Sequence, residues 1–102
     1  MSLAGRVAEH VLRPRPFGPK LRVRVDLHGV SVFPAKGAHT LIRWEWIEQI
    51  AVEGGVVVRS ANEEIRLPPG AFRLDPPALA ERLTEAGSIT KRPDVIASLS
   101  ER

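Results

Sequence analysis

The chain has 102 residues, 43% hydrophobic and 26% charged, with no cysteine. This length suits one domain around one core, the composition excludes collagen, coiled coil and wholesale disorder, and the missing cysteines exclude disulfides, thiol nucleophiles and cysteine-type zinc sites. The 15 basic and 12 acidic residues leave a formal charge of +3 and an isoelectric point near 10.2, which directs attention to anionic partners once the charge has a location.

In the N-terminal stretch, Glu9 and His10 interrupt any apolar run long enough for a signal-peptide core. The longest wholly apolar runs, such as Val56 to Val58, fall far short of the roughly 20 residues of a membrane-spanning helix. A cytoplasmic location is expected, with any membrane role peripheral. Leu3, Val7 and Val11 recur four residues apart behind Ser2, which predicts a short capped helix. The following Arg13-Pro14-Arg15-Pro16-Phe17-Gly18-Pro19 cannot continue a helix, because proline lacks the amide donor and forces its predecessor to be extended. Residues 1–19 therefore read as an arm or short helix with a proline-rich connector.

From Lys20 the period changes to two. Leu21, Val23, Val25 and Leu27 take one face, and Lys20, Arg22, Arg24, Asp26 and His28 the other, the pattern of a half-buried strand. A turn at His28-Gly29 leads to a second strand over Val30 to Phe33, and Pro34 to Gly37 reverses the chain. A third strand runs from His39 to Trp44. The spacing of Trp44, Ile47 and Ile50 by three predicts a single helical turn next. Ile50 to Glu53 and Val56 to Ser60 flank Gly54-Gly55 as a hairpin, and Glu63 to Leu67 is a last strand stopped by Pro68-Pro69-Gly70.

Asp75 before Pro76 and the closing Gly87 delimit one helix, about residues 76–86, with Leu79, Leu83 and Ala86 as its apolar stripe and Leu74 as a staple. Residues 88–102 carry only Ile89, Val95, Ile96 and Leu99 as apolar side chains of any size. They are expected to form a flexible tail, with one weak helix as the alternative. The order of elements predicts a mainly β (α+β) fold: a rolled-up antiparallel β-sandwich or small barrel capped by a C-terminal helix. The domain proper is then 20–87.

The segment Val25 to Ala86 resembles the bacterial pleckstrin-homology-like (PH-like) domains. The resemblance rests on "DLHGVSVF", "IRWEWIEQI" with its Trp44, Ile47 and Ile50, "IRLPPGAF" with Leu67-Pro68 and Phe72, and the closing helix. It implies a rolled-up β-sandwich capped by a helix, acting as a non-enzymatic scaffold for protein or membrane association.

The residues themselves supply three sets of candidates. His28 and His39 with Asp26 are the material for a metal or acid–base site, but their spacing matches no metal motif, and neither a catalytic residue nor a cofactor is expected. Arg13, Arg15, Lys20, Arg22 and Arg24 form a basic strip suited to phosphates of nucleic acid or anionic lipid. None of the five aromatic residues is expected to interleave with this strip, Phe17 being the nearest, so an edge protected by cations is the simpler explanation and nucleic acid the weaker one. Trp46, beside Arg43 and next to a turn, has the chemistry of an interface residue, since the resemblance sends Trp44 into the core. The main expectation is a binding module for a protein partner; the alternative is a basic β-domain binding nucleic acid or anionic lipid through the Arg/Lys strip. Open sheet edges would also allow self-association. The positive charge is local: residues 1–24 hold six basic residues against Glu9, while the remainder holds nine basic against eleven acidic.

Overall fold

The computed structural model describes residues 6–13 and 18–101. Antiparallel strands β1 (Val7–Leu12), β2 (Leu21–Asp26), β3 (Gly29–Pro34) and β4 (Thr40–Arg43) form one meander in that order. A 3-10 turn over Trp44–Trp46 leads into a second antiparallel meander, β5 (Gln49–Glu53), β6 (Gly55–Arg59) and β7 (Glu64–Leu67). Helices α1 (Pro76–Ala86) and α2 (Arg92–Ser100) follow. The sheets are not joined by strand pairing into a closed barrel among the described residues, so the observed class is α+β with two packed antiparallel sheets.

Side-chain alternation explains where the core sits. Val23 and Val25 of β2, Val30 of β3, Ile42 of β4, Val56 and Val58 of β6, and Ile65 and Leu67 of β7 all point inward and are buried. Leu79, Leu83 and Ala86 of α1 close the same core. The α1 stripe is the predicted one, although its N-terminus is capped differently: the Asp75 side chain makes no capping bond, and its backbone carbonyl accepts the Leu79 N–H at 2.9 Å. Gly87 keeps right-handed helical angles rather than a left-handed cap, and i to i−3 bonds continue past it, the Ser88 N–H donating to the Glu85 carbonyl at 3.1 Å before the chain enters α2. Gly54 has φ +82°, the backbone state that the tight β5–β6 turn requires and that side chains disfavour.

Two expectations are corrected. The predicted N-terminal helix is absent where it can be checked: residues 7–12 are β1, paired along its length with β2 from Val7 opposite Asp26 to Leu12 opposite Leu21. Ser2 and Leu3 lie outside the described residues. The spacing misled because residues four apart share a face in a strand as well as in a helix; Val7 and Val11 occupy the outer face, 44% and 52% exposed, while Ala8 points into the core. Pairing supplies β2 with backbone partners on its second edge, which a helix would have left unmet.

The second correction concerns the tail, which holds the well-packed helix α2. Val95, Ile96 and Leu99 are buried in the common core, at roughly 1.5–3 kcal/mol for each side chain removed from water. That burial outweighs the weak intrinsic helicity of so short a segment. Helix α2 packs against α1 and β1, so both ends of the chain contribute to one core.

The outer face of the second sheet is covered by its own charges. Arg59 donates to both carboxylate oxygens of Glu53 at 2.8 and 3.0 Å and to Glu64 at 2.9 Å, while Arg66 reaches Glu64 at 2.8 Å. Register places Val57 and Ala51 between Arg59 and Glu53, so the guanidinium crosses over Val57, which is buried outside the main core. The Arg59 bonds hold the Glu53 and Glu64 carboxyls below the usual carboxylate range.

Candidate binding surfaces

The Trp44–Trp46 turn sends its two indoles in different directions, since successive residues of a 3-10 turn are a third of a revolution apart. Trp44 enters the core, its Nε1–H donating to the Asp26 carbonyl at 2.8 Å and its own backbone N–H to that of His28 at 3.1 Å. Trp46 turns outward and is 56% exposed. Arg43 lies over the Trp46 ring at 5.4 Å and pairs with Glu45 at 2.9 Å. A backbone N–H at Glu45, followed by Arg43, holds the Glu45 carboxyl below the usual range. Trp46 thus stands on a turn fixed from beneath by Trp44, beside an open groove whose lining includes Leu41, Glu45, Glu48 and Glu63. In the sequence Glu45, Glu48 and Glu63 read only as carboxylates of a solvated turn or strand edge, and Leu41 carries no signal; the two turns that meet in this groove are remote along the chain.

Of the basic strip, Arg22 and Arg24 share the outer face of the first sheet, Arg13 directly follows β1 and Lys20 directly precedes β2, and Arg15 lies outside the described residues. Arg13, Lys20 and Arg22 are exposed, and Arg24 is half-buried. Arg24 is paired with Glu9 at 2.8 Å, whereas no carboxylate lies within ion-pair distance of Arg22 among the described residues. The expectation that no aromatic group meets this strip is wrong across the strands. The Arg22 guanidinium lies 4.4 Å and that of Arg24 5.0 Å from the centroid of Phe33, directly opposite Arg22 on β3, and His39 stacks with Phe33 at 5.1 Å. The signal was available in the β2–β3 hairpin register, which places odd-numbered β3 residues beside the arginines.

His28 and His39 do not come together near Asp26. They lie at opposite ends of β3, separated by about five residues of strand or roughly 17 Å, and the Asp26 carboxylate is used by the backbone N–H groups of His28 and Gly29 at 2.8 and 3.0 Å. No group of three or more His, Cys, Asp or Glu among the described residues is placed to hold a metal ion. His10 instead has a structural role: its Nδ1 accepts the Phe72 N–H at 2.7 Å, joining β1 to a turn in which Phe72 and Arg73 have positive φ. Burial, then Arg73, pushes the His10 pKa below its ordinary value.

No family model, curated protein or solved structure matches the chain. No helix among the described residues is long and apolar enough to cross a membrane.

Proposed function

We propose that the chain is a non-enzymatic binding module of the PH-like kind, which associates with a protein partner through the surface around Trp46 and Arg43. The observation that carries this reading is the exposure of Trp46 on a turn whose neighbouring indole is fixed in the core. A large aromatic side chain held in place before binding loses little conformational freedom on docking, which is why tryptophan and arginine recur among residues that dominate interfaces. Two antiparallel sheets followed by helix α1 in the order that the resemblance implies lend support to the PH-like part. Affinity capture from the cells that make the protein, with wild type against Trp46→Ala, tests the reading. Loss of a captured partner with Trp46→Ala is expected; the same partners on both proteins would overturn it.

A second reading is favoured by one observation, the pair of arginines held over Phe33. Guanidinium groups ordered on an aromatic ring are prepared to meet phosphate oxygens, so the Arg13, Lys20, Arg22 and Arg24 strip is the place for nucleic acid or peripheral contact with anionic lipid. Phe33 itself is occupied by Arg22, Arg24 and His39, which favours phosphate contact over base stacking. Titration with short DNA, RNA and anionic vesicles at low and moderate salt tests this reading; no binding to any of them rejects it.

A further inference from the structure

We infer that the groove beside Trp46 receives an arginine or lysine side chain from a segment of a partner protein. The inference rests on the protein-binding reading above and adds the chemistry of what is bound.

The ionisable groups lining the groove are Glu45, Glu48 and Glu63, with no basic residue among the lining side chains. Trp46, Leu41 and Ala61 supply apolar surface. An apolar wall with carboxylates at its rim suits a long cationic side chain, whose methylene stem packs on the wall while its charged end reaches the rim. An acidic segment would meet like charge there, at a cost in affinity that makes the surface selective.

The molecule already displays the chemistry on one side of the indole. Arg43 lies over the Trp46 ring with its guanidinium paired to Glu45, a cation–π contact combined with a carboxylate. Glu48 and Glu63 offer the same carboxylate chemistry with no cationic partner within ion-pair distance among the described residues. Both are carried by ordered backbone: the Glu48 N–H donates to the Arg59 carbonyl at 2.7 Å, and the Glu63 N–H to Ser60 Oγ at 3.1 Å. The backbone that carries both carboxylates is therefore fixed before a partner arrives.

The test is titration of the full chain with a short peptide alternating arginine and leucine and with its glutamate-for-arginine counterpart, read by Trp46 fluorescence and by amide chemical shifts. The arginine peptide is expected to shift the emission and to perturb Trp46, Glu48 and Glu63, weakening as salt is raised. The double variant Glu48→Gln, Glu63→Gln should lower its affinity about tenfold with an unchanged melting temperature, and the glutamate peptide should not bind. Equal binding of both peptides, binding of neither, or full retention by the double variant would overturn the inference. Preferential binding of the glutamate peptide at Trp46 would overturn it while leaving the protein-binding reading intact. Arginine-peptide binding unaffected by Trp46→Ala and mapped elsewhere would instead remove that reading as well. A wild-type dimer abolished by Arg22→Glu, with shifts in the groove, would place a second copy there and also overturn it.

Discussion

The Arg92 guanidinium lies 5.0 Å over the ring of Trp44 and at the same time ties three parts of the chain together. Its Nε–H donates to the Ala86 carbonyl at 2.9 Å, and its other N–H groups to Gly87 and Leu27 carbonyls, both at 3.3 Å. A cation at the end of α1 satisfies carbonyls the helix leaves unpaired and opposes its dipole, while the Leu27 bond carries this into the β2–β3 turn. Arg92→Ala is expected to lower stability by about 1–2 kcal/mol, and Arg92→Lys to recover only part, because one ammonium cannot reproduce the fork. Urea denaturation of the three proteins checks this; unchanged midpoints would contradict it.

The His10 to Phe72 bond makes stability depend on pH. Its Nδ1 acts as an acceptor, so the folded state holds the neutral ring, and its pKa lies below the ordinary value of 6.5. The contribution is full above that ordinary value. It is lost as pH falls below it towards the depressed folded value, because the unfolded chain takes up the proton first. His10→Gln keeps an acceptor without a titrating group. The variant is expected to show a shallower loss of stability than wild type between about pH 7.5 and about pH 5, measured by urea midpoints.

The two tryptophans, two residues apart, should respond oppositely to truncation. Trp44→Ala removes a buried side chain and should cost about 3–5 kcal/mol, a large share of the 5–15 kcal/mol typical of a small domain. Trp44→Phe leaves the Asp26 carbonyl without its indole donor, a loss of about 1–3 kcal/mol. Trp46→Ala should change stability by no more than about 0.5 kcal/mol. Thermal melts separate the three, and comparable losses at Trp44 and Trp46 would contradict the assigned orientations.

Gly55 is required for close approach. A Cβ built there would overlap the Leu67 carbonyl oxygen across the β6–β7 pair. Gly55→Ala should therefore force the strands apart, at about 1–3 kcal/mol, with faster amide exchange at Val56 and Leu67. Unchanged protection at both positions would count against it.

Much of the fold was legible because local patterns and tertiary burial agree. Alternation located β2, the glycines located the β5–β6 turn, the threefold spacing after Trp44 located the 3-10 turn, and Leu79, Leu83 and Ala86 face the core as their periodicity requires. In the sequence Trp46 is a surface candidate only through the resemblance that sends Trp44 inward; the 3-10 turn, with Trp44 in the core, is what turns Trp46 outward. The outer-face pairing of Phe33 with the arginines was harder to see, because it depends on hairpin register rather than on neighbours along one strand.

Sequence alone determined the elements whose signals are local: period-two strands, punctuating glycines and prolines, and the confinement of excess positive charge to the first 24 residues. Tertiary structure decided the fate of both chain ends. A spacing of four is equally compatible with strand and helix, and the available edge of β2 selected the strand. A short helix with three large buried side chains is weak in isolation, and the open end of the core selected its docking. It also decided which charges meet Trp46, since Glu48 and Glu63 reach one groove only when the turns that carry them fold together.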